Sequence, residues 1–210
     1  MAEYSLKPLA WPVNIDSLAS DVGKPDFHHH LQCFLQDQFK LDSTSSPFYI
    51  PDKVYVYSLA MASFYAPSNI YGTGGIHCEH MHDVISWRHG KLWYYCVFVN
   101  TDELKPGMLG LSIANARLFF SVMVNCIRHS CALVHWYSRL GDSVDKNTGM
   151  WVVEPDILDD RRPQTAVIHL DTIVHLAHLL HIYGEEWALD TFSEFYVNKF
   201  ADHHAFEIAF

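Results

Sequence analysis

Between Ala114 and Val124 the chain alternates with a period of two. Ala114, Ala116, Leu118, Phe120, Val122 and Val124 share one parity; Asn115, Arg117, Phe119, Ser121 and Met123 share the other. That period throws successive side chains to opposite faces of an extended backbone, and an amphipathic helix does not read this way. A strand this long needs partners on both edges, so most of what the chain can become follows from this run. The partners are visible nearby. Val54-Tyr55-Val56-Tyr57 opens a strand-like run that ends at Phe64-Tyr65-Ala66-Pro67, and Gly72-Thr73-Gly74-Gly75 reads as a turn. Leu92 to Val99 is apolar on both parities, as expected of a strand covered on both sides. Cys131 to Tyr137 is a further strand, Met150-Trp151-Val152-Val153 its return across the polar Gly141–Gly149 loop, and Thr165 to Ile168 a last short one.

Short strands separated by turn-rich loops predict an α+β, mainly β fold: a small β-barrel-like domain of about five to seven strands. The apolar runs from Lys53 to Ile168 are expected to close on themselves and fill the barrel. The 13 Phe, 11 Tyr and 6 Trp suit such pleated, half-buried surfaces. Helices flank it. Asp26 caps one running to about Lys40, on the stripe Phe27, Leu31, Phe34, Leu35 and Gln38. Asp171 is positioned to cap another through about Leu180, and a last helix is expected over Asp190 to Phe200. The 210 residues form one domain: a helical extension over 1–50, a β-rich core over 51–170 and C-terminal helices over 171–210. A chain of this length buries roughly 70% of its unfolded surface, enough for one core.

Charge narrows the partners. Against 14 Lys+Arg stand 24 Asp+Glu, a net charge of −10. Binding to a phosphate backbone draws on Lys and Arg through counterion release, so direct nucleic-acid binding is disfavoured and a basic peptide is the favoured protein partner. The 15 His offset this acidity below about pH 6.5. Five cysteines, with no C-x-x-C, sit mostly in apolar runs and read as small core residues of a reducing compartment. The first ten residues lack the pattern of a signal peptide, and Leu109 to Val124 is interrupted by Asn115 and Arg117, against a membrane span. Nucleus or cytoplasm is the expected location.

Three clusters invite a chemical reading. In His77-Cys78-Glu79-His80-Met81-His82, a strand puts Cys78, His80 and His82 on one face, a donor set that suits zinc. The second pair of ligands typical of closed zinc sites is missing, so packing outweighs metal binding. His175, His178 and His181 fall within one arc of the expected helix, but Leu176, Ala177, Leu179 and Leu180 around them favour a packed helix. Trp136, Tyr137 and Trp151, with Trp93 and Tyr94, offer rings for an aromatic cage around a cation, although a filled core uses the same residues. G-x-S-x-G, S-x-x-K, H-E-x-x-H and the P-loop are all absent, and the acidic loop Asp142–Gly149 fails the calcium register. No catalytic residue and no cofactor are expected, apart from zinc at the Cys78 cluster.

Several stretches carry a resemblance in one order along nearly the whole chain. They are Trp11–Ser20, Ala62–Ser68, Gly107–Gly110, Cys131–Trp136, Asp145–Val153, Ala177–Leu179 and Phe195–His204. Together they resemble the C-terminal region of Plavaka-type transposases, the CACTA-related DNA transposons abundant in fungi. The resemblance implies an accessory domain downstream of an RNase-H-like catalytic domain, with none of the catalytic carboxylates carried over. It also leads one to expect arginines after the glycine turn, where this chain has His77, Cys78, His80 and His82. Single transitions convert CGN codons to His or Cys codons, which reads as decay of a silenced element. The expectation is a non-catalytic interaction domain, detached or truncated from a transposon protein. Two alternatives stand beside it: a metal-binding protein or metal-dependent enzyme using Cys78, His80 and His82, and a barrel that reads a basic peptide through its rings.

Overall fold

A computed structural model describes residues 3–6, 11–39, 51–65, 76–82, 95–182 and 194–210. After β1 (Glu3–Leu6) and β2 (Trp11–Asn14), Asn14 ends the strand and starts α1 (Ile15–Asp21) by accepting the Asp16 N–H at 2.9 Å. Helix α2 (Phe27–Phe39) buries Phe27, Leu31, Phe34 and Leu35 of the stripe its spacing predicts, while Gln38 is exposed. Then come β3 (Lys53–Tyr57), β4 (Leu59–Tyr65), β5 (Ile76–His82), β6 (Cys96–Asn100), β7 (Leu111–Val124), β8 (Ile127–Arg139), β9 (Val152–Pro155) and β10 (Thr165–His169). The chain finishes with β11 (Ile173–Ala177), β12 (Leu179–His181), β13 (Phe195–Val197) and α3 (His203–Ala209). No helix among the described residues is long and apolar enough to cross a membrane.

The long hairpin β7–β8 is the spine. Its turn, Asn125-Cys126, has φ of 49° and 63°, the two left-handed residues that a two-residue hairpin with the right twist requires. Each spine strand has two neighbours in succession. β7 pairs with β3 near the turn and with β6 further away, while β8 pairs with β10 near the turn and with β9 further away. The main path runs β11-β6-β7-β8-β9-β13-β12, seven strands curled into a half-barrel, with helices at both ends of the chain. The outermost strands of this path, β11 and β12, are separated in sequence by His178 alone. The sheet therefore has to curl until its two ends almost meet. Closure is made by the chain at that residue, not by a ladder between the end strands.

Strict alternation along β7 does not survive. The β7–β8 register shifts between Ala116 and Leu118, so Arg117 is an extra residue and the parity flips there. Ala114 and Ala116 consequently join Phe119, Ala132 and Val134 on one face, covered by the separate three-stranded sheet β1-β4-β5 through Ala60, Ala62 and Met81. Leu118, Phe120, Val122 and Val124 turn to the opposite face and pack under α1 and α2, where the Phe27 ring meets Phe120 edge-on at 5.3 Å. Beyond the bulge, that second face carries Phe98, Ile113, Val153 and Val197, closed over by Ala205 and Ala209 of α3.

The helix expected from Asp171 is replaced by strands. Asp171 lies inside a short 3-10 turn, Leu170–Thr172, that is capped by His169, after which β11 and β12 extend. Burial along β11 alternates strictly, and Ile173 with Val174 favours extended backbone. The open edge of β6 supplies the hydrogen-bond partner that a helix would have left unfilled. The helix expected over 190–200 is likewise a strand where it is described, at β13.

Candidate functional site

Strand parity decides where the residues of β5 go. Cys78 and His80 lie exposed on its outward face, with Cys78 Sγ 3.4 Å from Ser63 Oγ on β4. Register places His82 on the same face, and its side chain lies outside the described residues. Three alternate positions on a straight strand span about 13 Å, a poor match to one ion. The opposite parity points inward, with Met81 buried and Glu79 half-buried.

Glu79 is where the ionisable groups converge. Its Oε2 accepts the Leu176 N–H at 3.2 Å, which satisfies a backbone donor on the free edge of β11. Its Oε1 lies 3.4 Å from Nε2 of His175, whose side chain is 1% exposed. From the other side comes Asp202, the residue that caps α3 by accepting the Ala205 N–H at 2.7 Å. Asp202 Oδ1 stands 3.5 Å from the same Nε2. Among the described residues, Glu79, His175 and Asp202 are the one group of three metal-ligating side chains that come together, with ligand atoms all within 4.8 Å. Burial pushes the Glu79 carboxyl up to about 7; the Leu176 N–H opposes this and the Asp202 charge adds to it.

The three expected histidines separate. His175 enters this cluster, exposed His178 holds Asn198 through Nδ1 at 3.1 Å, and His181 lies against the Phe195 ring at 4.9 Å. A helix would have stacked them; a strand interrupted at His178 sends them three ways. Reading 171–180 as a helix hid the Glu79 site. The available signal was a Glu alternating with the apolar Met81 in a strand-like run.

The aromatic set also divides. Trp93 and Tyr94 lie outside the described residues. Trp151 is buried, and its ring carries the Arg139 guanidinium at 5.1 Å, so that face is taken by the chain itself. Trp136 and Tyr137, both half-buried, border an open cavity of about 520 Å³ together with Asp142 and Asp156. Arg139 also lines it, tied down by donating to the Met108 carbonyl at 2.8 Å and the Gly141 carbonyl at 3.2 Å. Trp136 and Tyr137 are successive residues of β8 and pack against different core clusters, so they border the concavity from opposite faces of the sheet and do not form the aromatic cage that the sequence suggested. In the Asp142–Gly149 loop, the Asp145 carboxylate accepts from the Asn147 and Thr148 N–H groups and the Thr148 hydroxyl, so it serves its own turn. No family model, curated protein or solved structure matches the chain.

Proposed function

We propose that this chain is a non-catalytic interaction domain of DNA-transposon origin that holds a basic segment of a protein partner. The observation that carries the binding reading is the cavity bordered by Trp136, Tyr137, Asp142 and Asp156 in a protein of net charge −10. Ring faces attract cations through their quadrupole, and carboxylates at the rim add charge attraction and speed encounter. Arg139, which lines the cavity, is already bonded to two carbonyls and stacked on Trp151, so it blocks the cavity less than a free guanidinium would. The transposon origin is supported by the ordered likeness of Trp11–Ser20 through Phe195–His204 to the accessory region of Plavaka-type transposases.

Binding of fluorescent Lys/Arg-rich peptides, matched against Asp/Glu-rich peptides of equal length, tests the interaction. The basic set is expected to bind, with affinity falling as salt rises. Trp136→Ala and Asp156→Asn should each weaken binding about tenfold. Equal affinity for both peptide sets, or indifference to Trp136→Ala, would remove the cavity from the account. Genomic sequence upstream tests the origin, because an intact RNase-H-like frame there would make the chain part of a whole transposase and not a detached copy.

A further inference from the structure

We infer that Glu79, His175 and Asp202 form a three-ligand site for a single divalent ion of the zinc class. Three features of the cluster point there. The first is tautomer. Nδ1 of His175 lies 2.9 Å from the Leu176 carbonyl, an oxygen that can only accept, so Nδ1 carries the hydrogen. In neutral imidazole Nε2 is then a lone pair, and it faces two carboxylate oxygens. That nitrogen and the two carboxylates together make a nitrogen-and-oxygen donor set of the kind that binds a divalent ion. A backbone carbonyl fixing the far nitrogen is also the usual outer support of a metal-bound histidine.

The second feature is distance. A proton shared between imidazolium and carboxylate draws the heavy atoms to about 2.7–2.9 Å. Here Nε2 stands off both carboxylates, at 3.4 and 3.5 Å. Donor atoms about 2.1 Å from one ion at tetrahedral angles lie about 3.4 Å apart. The two distances from Nε2 match edges of a tetrahedral site, and all three ligand atoms lie within 4.8 Å of one another.

The third is support. The donors come from three separate segments, each already held: Glu79 by the Leu176 N–H, His175 by burial and the Leu176 carbonyl, Asp202 by the cap of α3. One imidazole with two carboxylates suits zinc and its first-row neighbours better than calcium or magnesium. Three protein ligands leave a fourth position, which opens on the side of Asp202, whose side chain is 38% exposed. The ion would tie β5, β11 and the start of α3 to one point.

The test uses the full chain, stripped with chelator and then titrated with Zn²⁺ by calorimetry and with Co²⁺ by absorption. One equivalent is expected to bind and to raise the melting temperature. Cobalt should give tetrahedral d–d bands without a thiolate charge-transfer band. Glu79→Gln keeps an acceptor for the Leu176 N–H, and Asp202→Asn keeps a capping oxygen, so both variants should fold. Each should bind zinc about tenfold more weakly or worse. The double variant Cys78→Ser, His80→Gln should bind as the parent does. Failure of the parent to bind, a thiolate band, or parent-like affinity in a folded Glu79→Gln or Asp202→Asn variant would overturn the site.

Discussion

His135 shows what a single half-buried imidazole imposes on this fold. It sits on β8 opposite Thr165 of β10, and its Nε2 is buried with no hydrogen-bond partner among the described residues. Burial first, then the nearby charges of Lys24 and Arg117, holds its pKa down to about 4. Lys24 is placed there by donating to the Thr165 hydroxyl at 3.1 Å. A histidine whose folded pKa lies below its unfolded value contributes full stability above the unfolded value near 6.5. That stability is lost as pH falls from 6.5 toward 4, because the unfolded chain takes up the proton first. The whole effect amounts to about 3 kcal/mol at most, less what solvent screens at this half-buried position. Urea unfolding from pH 7 to pH 4 should therefore show a steeper decline for the parent than for His135→Gln, and parallel curves would mean that the imidazole is hydrated. The sequence showed His135 only as one residue of the strand Cys131 to Tyr137. The charges that depress it come from Lys24, 111 positions earlier, and from the bulged Arg117, and no local pattern brings those three together.

At the level of elements, the hairpin turn carries a correctable strain. Cys126 is held at φ 63°, where a side chain costs about 1 kcal/mol relative to glycine, and it is exposed, so nothing is lost from packing. Cys126→Gly converts the turn to Asn-Gly, the preferred pair for two left-handed residues, and should raise stability by about 0.5–1 kcal/mol. The extra freedom of glycine in the unfolded chain makes this a net figure. A higher denaturation midpoint with an unchanged slope is the expected readout; a lower midpoint would mean the Cys126 side chain makes a contact worth more than the strain. The strands themselves were largely legible, because β-branched and aromatic residues at period two specify extended backbone without help from the rest of the chain. The bulge at Arg117 was not. Ala114, Ala116, Leu118 and Phe120 are all apolar and share one parity, so the run reads as one unbroken face, and the flip is made by what covers each side of the sheet. Two small alanines admit the three-stranded sheet closely, whereas Leu118 and Phe120 fill the space beneath α2. The stretch 171–181 misled for a similar reason: its histidines recur every third residue, as on a helix, while the edge of β6 pairs it as a strand with a bulge between Ile173 and His175.

Across the whole molecule, one long hairpin serves two cores on the same face, divided by the bulge. The half near the turn is covered by α1 and α2, and the far half by α3. The far half is also where the sheet ends meet at His178, whose carbonyl accepts the Asn198 N–H at 2.9 Å, and where Asp202 joins Glu79 and His175. Helix α3 thus does two jobs: Ala205 and Ala209 close the far core, and its cap completes the ionisable cluster. The connection explains why that cluster was hidden in the sequence. Its members lie 96 and 27 positions apart and meet only because the curled sheet returns its last strands to the edge beside β5. It also predicts an uneven response to truncation. A chain ending at Ala201 should lose about 2–4 kcal/mol, from the burial of Ala205, Ala209 and partly buried Ile208 and from the lost cap. Hydrogen exchange should accelerate in β6, β11 and β13 while amides of β7 and β8 near the Asn125-Cys126 turn stay protected, and the near-ultraviolet signal of Trp151 should weaken. Equal loss of protection in both halves would show that the bulge does not divide the hairpin into separately stable cores. Unchanged exchange everywhere would reduce α3 to a passenger on a far core that closes without it.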